Sequence, residues 1–172
     1  MAVKISEMVD ALSSGDTQMK GFYDRENDEL VWVTDDQMNR ANTAGDEEFE
    51  AIVRNAPEWE RDSLRDARRV LMWENDASST DEAFVELPSE SSIGMHSIME
   101  DFVLTLPESE QRRRLWESLR GSKAFQRFKE TVSQDKVLRT WERYRDERLA
   151  EIARQWATEN NVHVVGERTK SR

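Results

Sequence analysis

The sequence predicts an α+β fold, a mostly helical single domain in which a small antiparallel β-hairpin plus one further strand packs on a helical second half. Three observations carry this. Over most of the chain apolar residues recur at three- and four-residue steps, the period of an amphipathic helix. Two short stretches, "QMKGFYD" and "ELVWVTD", are instead dense in aromatic and β-branched residues, and they flank the polar run "RENDE" as the arms of a hairpin flank its turn. A third β-prone stretch, "AFVELPS", is closed by Pro88.

Taken in order, "VKISEMVDALSS" places Ile5, Met8, Val9 and Leu12 on one face of a short helix, with Gly15 behind it as a stop signal. Phe22, Tyr23, Val31, Trp32 and Val33 are the strand residues of the hairpin. From Asp46 to Glu74 the period is helical in two pieces, because Pro57 biases Ala56 toward extended backbone and itself suits a helix start. Phe49, Ile52 and Val53 form the apolar stripe of the first piece; Trp59, Leu64, Ala67, Val70, Leu71 and Trp73 form that of the second. "ENDASSTDEA" reads as a polar loop before the third strand. Ile98, Met99, Phe102 and Val103 mark the next helix, and "LPESEQ" ends it and opens another, with Glu108 and Glu110 at the positive end of the dipole. Leu115, Trp116 and Leu119 are that helix's expected core stripe, Gly121 its left-handed cap, and Ser122 the N-cap of the segment that follows. The longest helix carries Leu138, Trp141, Arg145, Leu149, Ile152 and Trp156. With no repeat and no linker, residues 1–165 are expected to form one domain and 166–172 a frayed tail.

Composition excludes more than it identifies. A chain of 172 residues is long enough to bury roughly 70% of its unfolded surface, and six tryptophans call for a core. A net charge of -11 works against non-specific attachment to nucleic acid or an anionic membrane, although a local basic patch stays open. Without cysteine there is no disulfide, thiolate nucleophile or cysteine-based metal site. No long apolar run marks a signal peptide or a membrane span, so a cytoplasmic protein with no membrane contact is expected.

Four stretches, "DRENDELVWV", "FVELPS" followed by "SIMEDFV", "GSKAFQRFKETV", and "RYRDERLAEIARQWATENNV", resemble a bacterial family, number one hundred and fifty-eight of the uncharacterised protein family series. The G-x-x-A-F-x-x-F-K element, residues 121–129, is the most specific part of the likeness, which covers the hairpin and most of the second half. The resemblance implies a small intracellular α+β protein. It brings no activity, cofactor or catalytic residue with it.

Charge is divided along the chain. Between Val70 and Gln111 there is no Lys or Arg, while Glu74, Asp76, Asp81, Glu82, Glu86, Glu90, Glu100, Asp101, Glu108 and Glu110 accumulate. From Arg112 to Arg148 the balance reverses. Such asymmetry points to a partner surface, unless the two halves pair inside the fold. The expected function is an interaction or adaptor module that binds an acidic protein partner through Arg113, Arg120, Lys123, Arg127 and Lys129, with Trp141 and Tyr144 as aromatic anchors where exposed. In "GSKAFQRFKETV", Phe125, Phe128 and Val132 share one helix face, which reads as core. A helix start at Ser122 beside Lys123 would suit a carboxylate or phosphate.

Two alternatives stand beside this reading: a nucleic-acid-associated regulator, and an acidic nucleic-acid mimic built on residues 74–110. His96, Glu100 and Asp101 are too few for a metal site, and the acids Asp24, Glu26 and Asp28 read as a hairpin turn, since Glu29 stands where a calcium loop needs glycine. No metal and no cofactor are expected. Nucleophile-and-base motifs are missing, so an enzyme is the weaker expectation.

Overall fold

The computed structural model describes residues 3–14, 18–43, 45–76 and 82–166. Along these run β1 (Val3–Lys4), α1 (Ile5–Ser13), β2 (Met19–Asp24), β3 (Glu29–Thr34), α2 (Asp35–Ala41), α3 (Asp46–Asn55) and α4 (Glu58–Asn75). They continue as β4 (Phe84–Glu86), α5 (Glu90–Ile93), α6 (Met95–Thr105), α7 (Glu110–Ser118), α8 (Ala124–Gln134), α9 (Leu138–Glu159) and β5 (Val164–Val165). Gly15, residues 77–81 of the expected loop, and the expected tail from 167 onward lie outside the described residues.

The central sheet is three-stranded, ordered β3-β2-β4, with both pairings antiparallel. Strand alternation sends neighbouring side chains to opposite faces. Phe22 therefore joins Val31, Val33 and Phe84 in a core closed by Phe49 and Val53 of α3 and Leu64, Ala67 and Val70 of α4. Tyr23, one residue on, belongs with Leu30, Trp32 and Val85 to a second core built from α1, α6, α7, α8 and α9. The sequence pattern placed the sheet only on the helical second half; α2, α3 and α4 cover its other face.

The second core is centred on aromatic rings. Phe102 of α6 meets Phe128, Trp141 and Tyr144 at centroid distances of 6.3, 5.4 and 5.5 Å, and Phe128 meets Trp141 at 4.9 Å. Leu149, Ala153 and Trp156 continue the α9 stripe against Ile5, Met8, Val9 and Leu12 of α1. A two-residue parallel pair, β1 with β5, ties Val3 to Val164 and Lys4 to Val165. Trp156 also donates from Nε1 to the Glu86 carbonyl at 2.9 Å, which fixes α9 to the end of β4.

Local signals explain most boundaries. Ala56 is extended, with φ -75 and ψ 151, and α4 begins directly after Pro57. Ser109 caps α7 by accepting from the Arg112 N–H. Three side chains expected in core stripes are instead at the surface: Trp59 is 79% exposed, Phe125 43% and Trp116 36%. Beside Trp59, Glu60 lies on the buried face of α4 with Leu64, Ala67 and Val70 and accepts from Arg40 at 2.7 Å. Leu138, at the first position of α9, is also exposed. The N-cap of α8 is Lys123, not Ser122, and it holds the left-handed conformation with φ 58. Beyond the expected elements, α2, α5, β1 and β5 are additional.

The hairpin turn is organised by Asp24, whose side chain is 1% exposed. Its carboxylate accepts from the backbone N–H groups of Glu26 and Asn27, from Asn27 Nδ2 at 2.8 Å, and from Arg69 of α4 at 2.5 Å. Burial alone would raise its pKa, but the Asn27 and Arg69 hydrogen bonds outweigh burial and hold it below the ordinary 3.8. A carboxylate so held stabilises the fold above its unfolded pKa and loses that contribution as pH falls through its folded one. Asp24→Asn is expected to cost about 1–3 kcal/mol at neutral pH, because it leaves donors around it unsatisfied. Urea denaturation followed from neutral to strongly acidic pH should show the wild type converging on the variant as Asp24 protonates.

Candidate functional site

The α8 stripe contains a contradiction that locates the site. Phe125 stands seven residues before Val132, almost two full helical turns, so both occupy one face. Val132 is fully buried and Phe125 is exposed. The face is correct for a core residue; what Phe125 lacks is a wall opposite. In its place is a cleft of about 720 Å³, bounded by the last turn of α1, the start of β2, the chain from Leu87 to Ser91, and Phe125 at the mouth.

Its interior is mainly apolar, with Leu12, Trp32, Leu87, Ile93 and Met95 lining the space, Met19 exposed beside it, and Lys20 and Glu86 as charged members of the lining. The sheet shapes the floor through one glycine. Gly21 pairs with Trp32 across β2 and β3, and a Cβ at position 21 would overlap the indole ring. Without that Cβ the indole closes down over β2. This is the close approach that a glycine inside a strand commonly marks. The rim is polar: Ser13 and Ser14 end one wall, and Ser89, Glu90 and Ser91 end the other. Ser13 Oγ donates to the Asp10 carbonyl at 2.9 Å, and Ser89 Oγ lies 2.9 Å from Ser91 Oγ. The chemistry available is enclosure of an apolar group under a hydroxyl rim. The lining holds no histidine, and both ring nitrogens of His96 are engaged elsewhere, Nε2 with the Leu119 carbonyl at 3.1 Å and Nδ1 with Glu100 at 3.5 Å.

The expected partner-binding residues divide into three groups. Arg120, Lys123, Arg127 and Lys129 come together around the α7–α8 turn, next to Phe125. Arg120 and Lys123 are exposed, and neither has an ion pair among the described residues. Arg127 is committed to structure: its guanidinium donates to the Ser118 and Arg120 carbonyls and so satisfies the C-terminal end of α7. Lys129 Nζ stands 5.5 Å from the centroid of the Phe125 ring, a cation–π contact. Arg113 lies apart on α7, paired with Glu110 on its own helix. With Arg112 and Trp116 it lines a shallower groove of about 330 Å³ against Leu104. Trp141 and Tyr144 belong to neither surface. Trp141 is 3% exposed and packs among Phe102 and Phe128, so it presents no ring to a partner; Tyr144 is half-buried against Phe102.

Among the described residues no ion pair joins the two charged stretches across the fold. Among the described residues, Arg113 alone of the basic stretch meets a carboxylate of the acidic one, Glu110, a single turn away. Arg114 meets Asp135 at 2.9 Å, Arg145 meets Asp146 at 2.8 Å and Arg148 meets Glu151 at 3.1 Å, all local to the basic half.

A family model matches residues 65–170, beginning in the middle of α4. The chain belongs to the Uncharacterised protein family (UPF0158). No curated protein and no solved structure matches it. The UPF0158 span includes the Leu87–Ser91 wall, Met95, Phe125 and the cations of the α7–α8 turn, whereas Leu12, Gly21 and Trp32 are supplied by the chain before it. Among the described residues of this UPF0158 member, no helix is long and apolar enough to cross a membrane.

Sequence reasoning missed the cleft, although Gly21 was its signal: a glycine between strand residues Lys20 and Phe22 asks what approaches it. Gly21→Ala is expected to destabilise the fold by about 1–3 kcal/mol through overpacking against Trp32. In a Trp32→Ala background the same substitution should cost almost nothing. Denaturant titration of the two single variants and the double variant measures this coupling.

Proposed function

We propose that the protein is a cytoplasmic interaction module that captures a segment of a protein partner carrying apolar side chains next to acidic ones. The apolar side chains enter the cleft beneath Phe125, and the carboxylates meet Arg120 and Lys123 on the α7–α8 turn. The observation that carries this reading is the placement of an exposed phenylalanine at the mouth of an apolar cleft, beside cations that have no ion pair among the described residues. Aromatic and basic residues together are the usual composition of binding hot spots. Glu90 on the opposite wall gives the site a polarity, since like charges repel a partner docked in reverse. A strongly negative chain also turns acidic partners away from most of its surface, so local cations decide where they dock.

The test is selection from a random displayed-peptide library, with the enriched peptides measured by fluorescence anisotropy at low and high salt. Enriched peptides should combine aromatic or aliphatic anchors with Asp or Glu. Phe125→Ser should weaken them by about tenfold or more at either salt, as loss of an aromatic anchor does. Arg120→Glu with Lys123→Glu should weaken them mainly at low salt, because exposed charges are screened. Enriched peptides whose binding is unchanged by both Phe125→Ser and the charge reversal, or retention of nucleic acid that this charge-reversed variant loses, would contradict the proposal.

A further inference from the structure

A second surface is defined by backbone groups. β2 bonds to β4 through its odd-numbered residues, as the Leu87 N–H to Gly21 carbonyl and Arg25 N–H to Ala83 carbonyl bonds show, both at 2.9 Å. Its even-numbered residues therefore bond to β3, and the Asp35 N–H to Gln18 carbonyl bond at 3.2 Å continues that ladder. Antiparallel geometry then points the N–H and carbonyl groups of Leu30, Trp32 and Thr34 away from the sheet. Thr34 is accounted for, since its N–H donates to Gln37 Oε1 at 2.9 Å as part of the α2 capping box. Among the described residues nothing accepts from or donates to the outward groups of Leu30 and Trp32. β3 is an open edge.

Open edges are templates for an added strand, and proteins usually blunt them with proline, lysine or a bulge. β3 has none of these: "ELVWVT" pairs in unbroken register with β2. Its ends are acidic. Glu29 begins the strand, Asp35 follows it, both are exposed, and neither has an ion pair among the described residues. Asp66 of α4 lies near Glu29 but is itself paired with Arg69 at 3.4 Å. The charges argue against a second copy of the chain. A two-fold antiparallel pairing through Trp32 would set Glu29 of each copy near Asp35 of the other, in a chain already at -11.

We propose that the outer edge of β3 receives an extended, basic segment of a partner protein as an added strand. Main-chain bonds to Leu30 and Trp32 hold it, and lysine or arginine near each of its ends meets Glu29 and Asp35. Those two carboxylates are six positions apart, about 20 Å along a strand and on one face of it, so the segment is of about seven residues. The surface shares Trp32 with the cleft, using its main chain where the cleft uses its ring, and has the opposite charge preference.

The probe is the capped peptide Lys-Val-Thr-Val-Thr-Val-Lys, added to the full chain and followed by amide hydrogen exchange and NMR shifts. The expected result is saturable binding with at least about tenfold slower exchange at the Leu30 and Trp32 amides. Methylating alternate backbone nitrogens of the peptide should abolish that protection, and Glu29→Lys with Asp35→Lys should weaken binding by about tenfold or more at low salt. Equal binding of the methylated peptide, or shifts spread over the acidic surface without protection at these amides, would overturn the proposal. So would protection that rises with the protein's own concentration in the absence of peptide, which would assign the edge to a second copy.

Discussion

A sheet of three strands covered on both faces has no solvent side, and this constraint organises the molecule. Phe22 and Tyr23 are adjacent in sequence, yet each serves a different core. Residues of one strand must then satisfy two sets of helices at once, so the strands read as nearly continuous apolar runs instead of an apolar-polar alternation. β3 shows this directly: Val31 and Val33 turn to α3 and α4 while Leu30 and Trp32 turn to the other core. A one-residue slip would exchange the two sets and leave Trp32 facing a core shaped for valine. Gly21 helps to hold that register, since the indole can lie across β2 only where no Cβ stands.

Polar groups hold the layers together where apolar packing does not. Asp24 fastens the hairpin turn to α4 through Arg69, and Arg25, one residue later, donates to the Asn160 carbonyl at the end of α9 at 2.7 Å. The turn thus reaches to both sides, to a helix of each core. Arg68 works in the same way, donating to the Ala41 and Thr43 carbonyls at 2.8 and 2.9 Å behind α2. The abundance of arginine over lysine is explained in part by such contacts, because one planar guanidinium can satisfy several carbonyls at a chain reversal. Buried charge is used sparingly: the Asp24 carboxylate is well hydrogen-bonded, as low-dielectric surroundings require, whereas the Nε of Arg25 is buried without a hydrogen-bond partner among the described residues.

How much of this was legible depended on the kind of signal. The α1 stripe, the hairpin, the break at Pro57 and the long α9 follow from periodicity and from proline, which act locally. α2 escaped because only Gln37 and Ala41 are buried in it, so no apolar stripe exists; its evidence was the capping box formed by Thr34 and Gln37. β1 and β5 are two residues each and hold only through their pairing across the length of the chain, which no local pattern encodes. The expectation that Trp59, Trp116 and Phe125 were core failed for a common reason. Periodicity assigns a face, but tertiary structure decides whether anything stands against it. The same reasoning sends Trp141 inward, since Phe102 and Phe128 arrive from other helices to cover it.

That distinction bears on the cleft itself. Leaving a large apolar side chain in water forgoes roughly 1.5–3 kcal/mol relative to burying it. Phe125 and Met19 both stand beside an apolar hollow that a slightly longer wall could have closed. Pro88 sends the chain away from β2 after Leu87, and the short α5 turns it again, so the wall stops at the rim. A fold that was shaped by its own stability alone would close such a gap, because cavity filling is among the easiest routes to a more stable protein. An apolar hollow with an aromatic side chain at its mouth instead fits the partner surface we propose, with the cations beside it that have no ion pair among the described residues as the proposed basis of partner choice.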